Sequence, residues 1–143
     1  MKAFRTLLKI AERDLETLRR ALGDQMLKEA NVVQRIHGHE QTIRNEQLLA
    51  QRDYESARAY GGYAAAALQI RKALEAERTL IGQEIERLRT LITEAHVEVS
   101  KFERLIELEE QREKAKREKR ENAELDEFAT ISAARKGSKA IGQ

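Results

Sequence analysis

The stretch ALQIRKALEAERTLIGQEIERLRTLITEAHVEVSKFERLI, residues 67–106, decides the fold. Its apolar residues Ala67, Ile70, Leu74, Ile81, Ile85, Leu88, Ile92, Ala95, Val99, Phe102 and Ile106 recur in steps of three and four, with a polar slot after Leu74. A sustained period of ~3.5 residues marks a helix that lays one stripe along another helix as a coiled coil. The N-terminal half carries a similar stripe through Phe4, Leu8, Ala11, Leu15, Leu18 and Leu22. It then drifts through Met26, Ala30 and Val33, which reads as a stutter that locally unwinds a coiled coil, and continues through Ile36, Ile43, Ala50, Tyr54 and Ala57. No segment alternates apolar and polar residues, so no strand is expected.

Composition agrees. The chain has 143 residues, 36% charged, 41% hydrophobic and 4% aromatic, without proline, cysteine or tryptophan. That profile approaches the Ala/Glu/Lys/Leu/Arg-rich composition of long helices and argues against a β-sandwich, a doubly wound α/β enzyme and a disulfide scaffold. The opening MKAFRTLLKIAERD is broken by Lys9, Glu12 and Arg13 and is too polar for a signal-peptide core. The longest apolar run, Tyr63–Leu68, falls far short of the ~20 residues that span a bilayer. The expectation is a soluble, cytoplasmic protein.

Between the two runs lies Arg58-Ala59-Tyr60-Gly61-Gly62-Tyr63. Paired glycines cost roughly 1 kcal/mol each inside a helix and accept the positive φ of a turn. The expected fold is therefore all-α, a long antiparallel two-helix coiled-coil hairpin. Residues 1–136 form one coiled coil, with helix one at about 3–58, the tip at about 59–63 and helix two at about 64–134. Residues 137–143 form a disordered tail. One unbroken helix in a parallel dimer is the alternative. With the apex near 61, residue i stands opposite about 123 − i. Leu22 then faces the Phe102 region, Ile36 faces Leu88, and Gly38 falls nearly opposite Gly82.

This register fails at the open end. Phe4 and Leu8 would face residues 115–119, inside a run (111–120) with six basic and two acidic residues, leaving Phe4, Leu7 and Leu8 without a good internal partner. The first 22 residues are also basic, with six cations and three acids, whereas 77–110 carry five cations and nine acids. Apolar groups beside like charge suggest docking to another protein; frayed termini are the alternative. Beyond the run, Leu125, Phe128 and Ile131 share a helical face.

The sequence offers no catalytic constellation: no Gly-rich phosphate loop and no nucleophile elbow. His37 and His39 stand about 200° apart on a helix and do not converge on a metal; His39 is expected near the seam and His37 toward solvent. No enzyme activity, cofactor or metal is expected. The basic run lacks interleaved aromatics, so nucleic acid is not the expected partner, and it lacks the bulky apolar face of a membrane-surface helix.

The segment Leu125-Asp126-Glu127-Phe128-Ala129, followed by Ala133-Ala134-Arg135-Lys136, resembles the end of the flagellar FliJ family, where such a box follows a charged arm and precedes a short basic tail. The length, the apolar entry at Leu7-Leu8, the Tyr54…Tyr60…Tyr63 region and the two-arm heptad plan are similar to that family across essentially the whole chain. The resemblance implies a monomeric antiparallel hairpin of the bacterial flagellar type III export apparatus, similar to the gamma stalk of rotary ATPases. It implies docking into a hexameric export ATPase, contact with a membrane export-gate protein, and binding of export chaperones. The place implied is the cytoplasm, peripherally at the inner face of the cell membrane at the flagellar base.

Under that resemblance, the ATPase-binding residues are Phe4, Leu8, Arg112, Lys116, Arg117, Arg120, Leu125 and Phe128. The family's gate-binding stripe matches Ala66, Ile70, Ala73 and Glu77. Members of the family can carry a bulky aromatic where this chain has Ala66 and a histidine where it has Glu77; that departure shifts the expected contact toward Tyr63 and Leu74. The equivalent stalk of a virulence secretion system and a generic homodimeric coiled-coil scaffold are the alternative readings.

Overall fold

The computed structural model describes residues 2–141, as two α-helices: α1, Lys2–Arg52, and α2, Tyr54–Ile141. The described residues contain no strand. The two long helices pack against each other as an all-α hairpin.

The break between them is one residue, Asp53, not the expected tip at 59–63. The helical ladder reaches Asp53 from both sides: its N–H donates to Leu49 O (3.2 Å), and its carbonyl accepts from Ala57 N–H (2.9 Å). The Asp53 carboxylate caps α2, accepting from the Glu55 N–H (3.1 Å) and the Ser56 hydroxyl (3.2 Å). Arg52 lies in the last turn of α1 and Glu55 in the first turn of α2, each where the helix dipole favours its charge. Gly61 and Gly62 are ordinary helical residues of α2, and no described glycine has positive φ. Helix two also continues past the expected end at 134, through 137–141, so that part of the expected tail is helical; Gly142 and Gln143 lie outside the described residues.

The structure divides into two compact units, Ala11–Val97 and Met1–Ile10 with Glu98–Gln143. In the first unit, contacts between the arms join Arg19 to His96, Arg35 to Glu77, Glu40 to Arg71 and His39 to Ala67, so the paired numbers sum to 115, 112, 111 and 106. An apex near 61 would require about 123. The register follows the Asp53 break instead. Ile36 accordingly packs in a cluster with Val32, Leu74, Ile81 and Ile85, with Leu22 against it, rather than opposite Leu88. Leu22 is thus drawn into this cluster rather than to the Phe102 region. Gly38 and Gly82 do not meet; neither would bring an added Cβ within 4 Å of another group.

The expected stutter is also absent. On α1 of this unit the buried and half-buried positions include 11, 15, 18, 22, 25, 29, 32, 36, 39, 43, 46 and 50, an unbroken alternation of four and three, with 21, 33 and 40 half-buried beside it. Gln25 and Glu29 occupy seam positions, while Met26 is 50% exposed and Ala30 faces solvent. Keeping one continuous stripe on a partner helix outweighs placing every apolar residue on it, since long polar side chains can lie along the seam with their heads in water. On α2, Arg71 takes the place expected of Ile70, which is 51% exposed; Tyr54 is 81% exposed.

In the second unit Arg5 Nη2 donates to Glu110 Oε1 (3.2 Å), and Phe4 and Leu8 are half-buried. Phe4 lines a pocket with Leu105 and Leu108 as well as Lys116, so apolar residues stand near it besides the basic run expected opposite.

Two sets of substitutions separate the turn at Asp53 from one at the glycines. Asp53→Ala is expected to lower stability by about 1 kcal/mol in urea unfolding through loss of the cap. Gly61→Ala and Gly62→Ala, with no neighbour to strike and no left-handed φ to violate, are expected to raise it by roughly 0.5–1 kcal/mol each. Destabilisation by the alanines would place the turn at 61–62.

Candidate partner-docking surfaces

The described residues include no group of His, Asp and Glu arranged to hold a metal. His39 is half-buried, and its Nε2–H donates to Ala67 O (2.9 Å), which fixes its tautomer and ties α1 to α2. His37 is exposed, 3.7 Å from Glu40. The polar chemistry of the first unit is instead a lattice across the seam. Arg71 donates to Glu40 on the other arm (2.6 Å) and to Glu75 on its own (2.7 Å). Arg35 donates to Glu77 on the other arm (2.6 Å) and to Asn31 Oδ1 on its own (2.9 Å). The hydrogen bond from Arg71 holds the Glu40 carboxyl below the usual carboxylate range, and Glu75 followed by Glu40 pushes the Arg71 guanidinium up.

This lattice takes up part of the expected gate-binding set. Leu74 is core, 9% exposed, and so is not part of any surface. Glu77 is half-buried and held by Arg35. Tyr63 is half-buried beside Tyr60, with ring centroids 6.2 Å apart. Ala66, Ile70 and Ala73 do face solvent, on successive turns of α2.

In the other unit the structure brings part of the expected ATPase-binding set together. Phe4, Leu105, Leu108, Glu109, Arg112, Glu113 and Lys116 line one pocket, and Glu113, Lys116, Arg117 and Arg120 line a shallow one. Leu8 is half-buried. From 111 to 138 every residue of α2 except Ser132 is exposed. Leu125 is 65% and Phe128 71% exposed, a helical face with no cover among the described residues.

The sequence reading missed one surface. In the first unit an open groove is lined by Gln25, Leu27, Lys28, Asn31, Arg35, Glu77, Leu80 and Ile81. Leu27 is 72% and Leu80 66% exposed. The signal was present as apolar residues standing off the 3.5-residue stripe, which invite a second contact.

Residues 1–138 match the family model described as "Flagellar FliJ protein". No curated protein and no solved structure matches the chain.

Replacing Arg71 tests the lattice. In Arg71→Ala the Glu40 carboxyl is expected to titrate at higher pH than in the parent, followed by NMR of the side-chain carboxyl. The parent's lowered pKa contributes stability that is full at neutral pH and lost as pH falls through that value; in the variant this acid-sensitive part should shrink, with His37 and Arg44 still favouring the carboxylate. An unchanged Glu40 titration would show that the contact does not persist in solution.

Proposed function

The chain belongs to the flagellar FliJ family, a family of non-enzymatic flagellar export components, and from that premise we propose that it acts as the central-stalk-like partner of the hexameric export ATPase. One observation carries the reading. The stretch of α2 from 111 onward presents six cations and two acids within 111–120 and then the bare face of Leu125 and Phe128, with no covering arm among the described residues. Cations of this kind steer the approach to acidic ring residues, and exposed apolar side chains supply the anchors. Phe4 belongs to this surface as a lining residue of the pocket shared with Arg112 and Lys116, and the half-buried Leu8 follows it one turn on.

The same reading assigns contact with the export gate to the exposed part of the expected stripe, Ala66, Ile70 and Ala73, with Tyr63 at its edge. Escort of export chaperones belongs to this role as well. No described helix is long and apolar enough to cross a membrane, so association with the inner face of the cell membrane at the flagellar base would be peripheral, through the gate.

Titration into the export ATPase of the same organism tests the proposal. Stimulated ATP hydrolysis saturating near about one copy per six subunits is expected; no binding and no stimulation would leave a generic scaffold as the account. Charge reversal at Arg112, Lys116, Arg117 and Arg120 should weaken binding roughly tenfold or more at low salt. Unchanged affinity would remove the cations from the interface. Phe128→Ala should cost about 2 kcal/mol of ATPase binding, while its exposure predicts a stability change within roughly 0.5 kcal/mol. A large loss of thermal stability with binding retained would make Phe128 a packing residue.

A further inference from the structure

Two surfaces of this chain complement each other. One is the groove in the unit Ala11–Val97. Its apolar walls are Leu27 and Leu80, and Met26, also half exposed, adjoins Leu27 in sequence. Its charged lining is Lys28, Arg35 and Glu77. Arg35 neutralises Glu77 at 2.6 Å, whereas Lys28 has no ion pair among the described residues. The groove thus offers apolar walls, a cation and the amides of Gln25 and Asn31, and suits an acidic amphipathic helix.

The other surface is such a helix. Residues 121–131, ENAELDEFATI, carry four acids and no cation. Their apolar residues Leu125, Phe128 and Ile131 are 65%, 71% and 47% exposed and share one face in steps of three. Nothing among the described residues covers that face.

We propose that the free protein associates head to tail, with the 121–131 helix of one copy seated between Leu27 and Leu80 of another, its carboxylates meeting Lys28. The contact is heterologous: groove and helix are different patches, so each copy offers one of each. A segment this short buries well under the ~1,200–2,000 Å² of a stable interface. Monomers therefore prevail at low micromolar concentration, and association emerges as concentration rises. The occupied helix includes Phe128, so a partner that binds Phe128 more tightly dissolves the self-association. The inference concerns the protein alone and does not depend on which partner that is.

Sedimentation equilibrium of the full chain over a concentration series, at low and high salt, is the test. The expected result is mass rising with concentration, more strongly at low salt. Leu27→Glu/Leu80→Glu, which spoils only the groove, and Phe128→Glu, which spoils only the helix face, should each remain monomeric. Mixed one to one, they should form a heterodimer, because each retains the half that the other has lost. Circular dichroism establishes that both variants keep parental helicity; all three sites are exposed, and Leu27→Glu and Leu80→Glu separately serve should the double variant lose it. Wild-type protein that stays monomeric throughout, association that survives Phe128→Glu, or variants that fail to complement would each overturn the proposal. Complementation failing while both variants lose association would mean a symmetric interface instead.

Discussion

A two-helix coiled coil with an unbroken heptad stripe can slide by one repeat at little cost in apolar contact, because each position still meets a similar one. Here the bonds that break this degeneracy are polar: Arg35 to Glu77, Arg71 to Glu40, and the His39 ring to the Ala67 carbonyl. Ion pairs this open to solvent contribute little to stability one by one. Their weight lies in specificity, since a slipped register breaks them together while the leucines and isoleucines stay content. The Asp53 cap works in the same direction by fixing where α2 begins.

Register decides what each arm covers. With Arg5 beside Glu110, Phe4 lines a pocket with Leu105 and Leu108, and the stretch of α2 from 111 to 138 is left exposed but for Ser132. Had the turn lain at the glycines, the first turns of α1 would have run alongside the basic segment and hidden part of it. The same constraint acts at Gln25 and Glu29, whose places on the seam leave Met26 and Leu27 outside it. The open cationic stretch in one unit and the Leu27–Leu80 groove in the other each follow from the pairing within that unit, whereas Leu125 and Phe128 lie beyond the reach of α1 in either register.

Much of this was legible in the sequence. The heptads of 67–106, the absence of proline and the Asp126–Ala129 box pointed to helix class, hairpin and family, and the family match over 1–138 agrees. The turn was misplaced because paired glycines are a conspicuous breaker, while the quieter signature Arg52-Asp53-Tyr54-Glu55 joins a C-terminal cation, a capping carboxylate and an N-terminal acid. At 26 and 30 hydrophobicity and period point to different residues, and period wins, with Gln25 and Glu29 on the seam. Leu74 and Glu77 were legible as stripe positions, but which stripe positions turn inward depends on the partner arm's register, a long-range property that spacing along one helix does not contain.

The register itself can be measured directly, and the absence of native cysteine makes the measurement clean. Paired cysteines would be introduced as Phe4→Cys with Leu108→Cys, and separately as Phe4→Cys with Lys119→Cys, and the rate of intramolecular disulfide formation compared under mild oxidation. The structure predicts faster closure of the first pair, whose residues line one pocket, than of the second. Closure of the second pair with none of the first would restore the turn at Gly61-Gly62 and contradict the register and the uncovered basic stretch.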